Sequence, residues 1–191
     1  GFILSLVAAW WMARRFKWSY IRLADLTAPL IALGLAFGRL GCFLAGCCFG
    51  KHSDVPWAVR FPRYSDAYRH HRDLFPDALA RQHELLGTWQ SLPVHPTQLY
   101  ELFGTLAIFA YLWFYRRKRI AYPGQSLATL LVAYGVLRFL IEFLRDDDRG
   151  GYVLSTSQWI SIPLVIIGCI IAVRGRKSAG HKSVDEHAAE E

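Results

Sequence analysis

Between Asp25 and Lys51 the chain reads Leu26-Thr-Ala-Pro-Leu-Ile-Ala-Leu-Gly-Leu-Ala-Phe-Gly-Arg-Leu-Gly-Cys-Phe-Leu-Ala-Gly-Cys-Cys-Phe-Gly50. These 25 residues carry one charge, Arg39. A stretch this long and apolar reads as a transmembrane helix, because about 20 residues of helix cross the hydrocarbon of a bilayer. The same pattern recurs along the chain. Glu101 and Arg116 enclose 14 uncharged residues, Arg119 and Arg138 enclose 18, and Arg149 and Arg174 enclose 24. The spans are expected at about Leu26–Phe49, Pro96–Tyr115, Gln125–Leu144 and Ser157–Val173. A further span at Phe2–Met12 holds about 11 residues, too few to cross. The chain also begins with Gly1 rather than Met, so it reads as a fragment lacking part of that helix.

Outside the spans, charge is clustered. Four bases fall in Arg14–Arg22, four in Arg116–Arg119 and four in Arg174–Lys182. These clusters lie at alternate ends of successive helices, which puts all of them on one side. By the positive-inside rule that side is the cytoplasm. The net charge of +7 is therefore largely a set of orientation markers and not a nucleic-acid face. The 53% apolar content excludes disorder, and four Cys in 191 residues exclude a small disulfide scaffold.

The expected class is an all-α integral membrane protein, a polytopic helix bundle. Residues 1–50 hold two transmembrane helices, the first truncated, and residues 96–173 hold three. Residues 51–95 form a small extracytoplasmic subdomain, too long for a plain connection. Within it Trp57–Phe61 alternates and reads as a short strand, and Asp77–Leu86 reads as a helix. It holds five of the seven His (His52, His70, His71, His83, His95), without a metal-ligand spacing. Residues 174–191 form a cytoplasmic tail, expected to be disordered after Lys182. No internal repeat supports an inverted-repeat transporter.

Ionisable residues within such spans are costly, at about 2.5–3.5 kcal/mol each on insertion scales, so each calls for a partner or a task. Arg39 lies roughly 14 residues from one end of its helix and 11 from the other, too deep to snorkel easily. It therefore calls for a buried anion or carboxylate. Around it, Gly34, Gly38, Gly41, Gly46 and Gly50 supply small-residue spacings that suit close helix packing or room for a headgroup. In the fourth span Tyr134, Arg138, Glu142 and Arg145 fall within an arc of roughly 80°. This single polar stripe has to face protein, and it extends beyond one ion pair. The third span opens His95-Pro-Thr-Gln-Leu-Tyr-Glu101. His95, Gln98 and Glu101 are thus expected at the level of Arg145 and Gly50. Polar groups from three helices converge on one outer-leaflet cavity, and an anionic phospholipid headgroup suits paired arginines. Cys42 and Cys169 read as small buried apolar residues. The vicinal Cys47 and Cys48 sit near the oxidising face, where metal or redox chemistry is a minor alternative.

The motifs Gly38-Arg-Leu-Gly41 with Gly46 and Gly50, His95-Pro-Thr-Gln-Leu-Tyr-Glu101, and Tyr134-Gly-x-x-Arg-Phe-x-x-Glu-Phe-x-Arg145 resemble those of the prolipoprotein diacylglyceryl transferase family. Ser155-x-Ser-Gln-Trp-x-Ser161 is similar to the family's pattern before its last helix. The resemblance implies a bacterial inner-membrane transferase. Such an enzyme moves diacylglyceryl from phosphatidylglycerol to the lipobox cysteine of a prolipoprotein signal peptide. A thioether forms and glycerol phosphate leaves, with no cofactor and no metal. It implies that this chain holds the last five helices of a longer bundle, with the site open to the extracytoplasmic side. Many members carry Asn and Glu where Cys42 and Cys47 stand here, so no role of those two carries over.

Set against that reaction, Arg39 and Arg138 are candidates to neutralise the leaving phosphate. Glu142, His95 and Tyr134 are candidates to take or relay the thiol proton, with no order among them. Arg39, Arg138, Arg145, Gly50, Gln98 and Glu101 are the candidate phosphatidylglycerol-binding residues. The competing classes are a transporter or channel built on the same stripe and a membrane thiol-redox protein.

Overall fold

The computed structural model describes residues 2–116, 119–146 and 154–189. The elements are α1 (Phe2–Arg15), α2 (Tyr20–Ala45), α3 (Asp66–Leu74), α4 (Pro76–Leu86), α5 (Thr97–Ala110), α6 (Gln125–Ile141) and α7 (Thr156–Ala189). A π-helical turn, Tyr111–Arg116, extends α5, and a 3-10 turn, Glu142–Leu144, ends α6. Among the described residues there is no strand. Three segments are long and apolar enough to cross a membrane: Tyr20–Ala45, Gln125–Leu144 and Thr156–Ala179. This is the expected all-α polytopic membrane fold. As a regular helix α5 covers 14 residues, about 21 Å of rise, and it depends on the wider π turn for further length.

The distribution of side chains is that of a protein dissolved in lipid. Leu26, Phe37, Leu44, Leu140, Trp159 and Ile166 are exposed, while Thr97, Gln98, Glu101, Glu142 and Gln158 are buried. In water this would be unstable. In hydrocarbon the exposed apolar groups lose nothing and the polar groups need one another.

The chain divides into two compact units. The first comprises Gly1–Leu33, Ala107–Val136 and Ser161–Glu191. Its apolar centre is Ala28, Ala32, Leu112 and Leu130, flanked by Ile108, Phe109 and Tyr134. The start of α6 is capped from α2: the Asp25 carboxylate accepts the N–H groups of Gly124 (2.5 Å), Ser126 (2.8 Å) and Leu127 (3.0 Å). That satisfies donors a helix N-terminus leaves orphaned and puts negative charge at its positive end. α6 and α7 approach closely where both lack side chains. A Cβ on Gly168 would lie 2.7 Å from Val132 Cγ2, and one on Gly135 would lie 2.7 Å from Val165 Cγ2. The small-residue spacing of α2 does not serve this purpose, because Gly34, Gly38 and Gly41 meet nothing within 4 Å. α7 also continues to Ala189, where a disordered tail was expected after Lys182. That stretch, Ser-Val-Asp-Glu-His-Ala-Ala, holds neither Gly nor Pro, so nothing stops the helix. Cys169 is exposed, not buried as expected.

The second unit comprises Gly34–Leu106 and Leu137–Ile160. Its apolar centre is Phe49, Phe61, Ala67 and Val94, with Phe43 and Val59 against it. The segment around Trp57–Phe61 forms isolated antiparallel bridges, Val59 to Val94 and Pro62 to Gln90, in place of the expected strand. Pro56 and Pro62 bracket it and remove ladder donors. α4 starts at Pro76, within one residue of expectation, and ends at Gly87 with φ +67°. α3 was not anticipated, because its residues are mostly polar. It is set by Ser65, whose Oγ accepts the Tyr68 N–H at 3.1 Å, and it buries Ala67, Tyr68 and His71.

His71 is fully buried, and its Nδ1 accepts the Leu92 N–H at 3.2 Å. Burial lowers its pKa from 6.5 to about 4; His70 and His52 add to the lowering and Asp146 opposes it. The folded state therefore binds fewer protons than the unfolded chain between those values. Stability from neutral His71 is complete above pH 6.5 and is lost as pH falls toward about 4. Protection factors for amide exchange across Lys51–His95, taken relative to the intrinsic rate at each pH, are expected to fall as pH is lowered through that window. In His71→Asn, whose Oδ1 can accept the Leu92 N–H, this fall should flatten.

Candidate active site

All members of the charged constellation lie in the second unit. Arg39, on α2, places Nε 2.9 Å from Glu101 Oε1 on α5. Glu101 Oε2 is 3.8 Å from Arg138 NH1 on α6. The same Arg138 NH1 is 2.9 Å from Glu142 Oε2, one turn along. Glu142 Oε2 is in turn 3.7 Å from Arg145 Nε, which the 3-10 turn brings back toward it. The result is a continuous run, Arg39–Glu101–Arg138–Glu142–Arg145, in which cation and anion alternate. The Glu101 and Glu142 side chains are only 2% and 3% exposed. Arg138 also donates from NH2 to Ser157 Oγ at 2.6 Å, at the start of α7.

Local packing puts these groups within reach. Gly104 lies one turn past Glu101, and a Cβ there would meet Leu137 Cδ2 at 2.5 Å. The Leu137 side chain of α6 therefore packs directly over Gly104 of α5, beside Glu101 and Arg138. At the other end, Gly50 N–H donates to His95 O (2.9 Å), His95 N–H to Lys51 O (3.0 Å) and Lys51 N–H to Leu144 O (2.8 Å). Gly50 thus sits between two backbones and pairs with Arg145. A Cβ on it would lie 2.7 Å from His95 O and 2.8 Å from Leu144 O. Only glycine fits there, and the fit aligns Arg145.

The remaining expected residues are placed differently. Gln98 is buried and donates from Nε2 to Cys47 O at 2.7 Å, so its amide anchors the turn after α2. Its Oε1 is buried without a hydrogen-bond partner. His95 Nδ1 lies 3.2 Å from Tyr100 Oη, which accepts from Trp57 Nε1 at 2.7 Å. Tyr134 belongs to the first unit and packs against its apolar centre. The expected four-residue stripe is therefore divided between a polar part and an aromatic one. Ser157 and Tyr100 stand in motifs quoted from the sequence but were given no role there. Ser157 stands in the polar run Ser155–Gln158, which was the available signal.

The arrangement can hold an anion. Among the described residues, three arginines face two glutamates in a largely buried setting. Guanidinium groups suit phosphate through paired N–H donors. Fold and site together define a polytopic helical membrane protein with a buried arginine–glutamate array.

A family model described as prolipoprotein diacylglyceryl transferase matches residues 1–174. A phosphatidylglycerol–prolipoprotein diacylglyceryl transferase of Idiomarina loihiensis is 34% identical over 184 residues, covering 93% of this chain and 59% of the relative. Proteins of the same description from Neisseria gonorrhoeae and Bordetella parapertussis are 36% and 39% identical, covering 91% and 88% of the chain. The chain spans 62% and 56% of those two. The chain belongs to the prolipoprotein diacylglyceryl transferase family.

Two substitutions test the architecture. Glu101→Gln leaves Arg39 and Arg138 without their shared carboxylate and should lower unfolding stability by about 3–5 kcal/mol, the usual cost of breaking a buried pair. Gly50→Ala should cost about 1–3 kcal/mol through overpacking. Both are read by thermal or denaturant unfolding in detergent.

Proposed function

We propose that the protein transfers the diacylglyceryl group of phosphatidylglycerol to the lipobox cysteine thiol of a prolipoprotein signal peptide. The carrying observation is the convergence of Arg39, Arg138 and Arg145 with Glu101 and Glu142 in one buried array. The names of the relatives support the same substrates.

In this reading the thiol sulfur attacks the glycerol carbon that carries the phosphate ester. A C–S bond forms, the C–O bond breaks, and glycerol phosphate leaves with the bonding pair. The thiol proton passes to a protein group. Negative charge grows on the leaving phosphate, so fixed cations nearby lower the barrier. Arg39 and Arg138 supply them. Glu101 and Ser157 hold Arg138 in place, and Arg145 holds the headgroup. Gly50 and Gln98 shape the headgroup's surroundings through the backbone they bring together. Glu142, beside two arginines, His95, beside Tyr100, and Tyr134 remain the candidates for the proton. No cofactor or metal enters this chemistry.

Both substrates are lipid-anchored or membrane-inserted, and the exposed apolar faces of α2, α6 and α7 suit lateral entry from a bilayer. The basic clusters Arg14–Arg22, Arg116–Arg119 and Arg174–Lys182 favour a cytoplasmic location for those ends. The site then opens to the extracytoplasmic side of a bacterial inner membrane, with Lys51–His95 on that side.

Transfer of labelled glycerolipid from phosphatidylglycerol to a lipobox peptide tests the reading. Arg39→Ala or Arg138→Ala should reduce transfer at least about 100-fold, as loss of a key charge-stabilising donor does. The charge-conserving Arg138→Lys should recover only part of it, because a point charge does not replace a planar fork. Undiminished transfer in the Arg39→Ala/Arg138→Ala double variant overturns the assignment.

A further inference from the structure

α2 ends at Ala45, and the chain then turns through Gly46, Cys47 and Cys48. Gly46 has φ +66° and Cys48 has φ +59°. The left-handed region costs a residue with a Cβ about 1–3 kcal/mol and persists only where the surroundings hold it. Here they do. Cys47 O accepts from Gln98 Nε2 at 2.7 Å, and Cys48 O accepts from Thr97 Oγ1 at 3.0 Å. Cys47 N–H returns to Cys42 O at 3.1 Å. The effect of this pinned turn is to fold Cys47 and Cys48 back onto Cys42. All three sulfurs lie within 4.8 Å of one another, and all three thiols are free and partly buried.

Simple space filling does not call for this. Alanine or valine would occupy the same volume without grouping three thiols, among which Cys47 Sγ donates to Cys42 O at 3.7 Å. We propose that Cys42, Cys47 and Cys48 form a three-sulfur site for a soft, thiophilic metal ion, with monovalent copper as the best fit. A metal–sulfur bond of about 2.3 Å sets three sulfurs about 4.0 Å apart in a trigonal plane. Closing from 4.8 Å or less therefore needs side-chain adjustment below about 1 Å. Structural zinc takes four protein ligands, and this group has three members among the described residues. Thiolate sulfur suits monovalent copper as well as zinc, and a trigonal set of three sulfurs favours the copper. The carbonyl anchors on Cys47 and Cys48 fix the turn that carries two of the ligands, as supporting hydrogen bonds do at metal sites. On binding, the thiols release their protons to solvent, and neither sulfur nor copper changes oxidation state.

No step of the proposed transfer uses the three sulfurs, so the metal test and the transfer assay fail separately. The test is an anaerobic titration of the full chain in detergent with Cu(I), in competition with a chromophoric Cu(I) chelator. One equivalent should bind per chain, with a sulfur-to-copper charge-transfer band. Cys42→Ser, Cys47→Ser and Cys48→Ser should each weaken binding at least about tenfold, and Cys169→Ser should not change it. Unfolding in detergent checks that each serine variant is intact, and the unsubstituted chain decides the matter on its own. Failure of that chain to compete for Cu(I) overturns the proposal. So does equal binding by the Cys42→Ser/Cys47→Ser/Cys48→Ser variant, or a disulfide among the three in the freshly purified protein.

Discussion

The Glu101 carboxylate is the contact on which the second unit depends. It meets Arg39 with one oxygen and Arg138 with the other, so three helices share one buried anion. In an apolar environment a lone charge of this kind is too costly to keep, and partners must come from within the protein. The constraint propagates. Arg138 needs the second carboxylate of Glu142, Glu142 draws in Arg145, and Ser157 occupies the remaining face of Arg138. Each link fixes the side chain before it.

That electrostatic run sits on a scaffold of backbone fits. Gly104 lets α5 and α6 close up beside it. Gly50 lets three backbone segments meet at Arg145 and His95. The turn between α2 and Gly50 is pinned by Thr97 and Gln98. Rigid support of this sort is what a preorganised site for a phosphate leaving group needs, since charge stabilisation counts only if the donors are already in place. The same pinned turn also groups the cysteines. One piece of backbone thus serves both the anion array and the proposed metal site.

Much of this was legible in the residues. The spacing of charge marked the spans that α2, α6 and α7 occupy, because hydrocarbon thickness imposes a length on any crossing helix. Arg138, Glu142 and Arg145 could be placed on one face from helical periodicity alone, and the depth of Arg39 called for a carboxylate. The motifs identified the family. Other features were not legible. α3 escaped notice because it is only nine residues long and mostly polar, with Ala67, Tyr68 and His71 as its buried face, and the expected strand at Trp57–Phe61 stopped at isolated bridges between two prolines. Gly34, Gly38 and Gly41 carry a packing spacing and pack against nothing, whereas Gly135 and Gly168, which do pack, carry no such pattern.

The sequence by itself therefore determined the class of fold, the family and the residues that had to find partners in the membrane. These follow from local periodicity and from the cost of burying charge, which depend on residue type and spacing. Only the tertiary structure decided that Glu101 is the partner of Arg39, and that Tyr134 joins an aromatic and aliphatic cluster. It also decided that Cys42 meets Cys47 and Cys48. Those outcomes depend on interhelical distance and on the path of a single turn. A few ångströms of approach at Gly104, Gly50 and Gly46 select among pairings that spacing alone leaves equal.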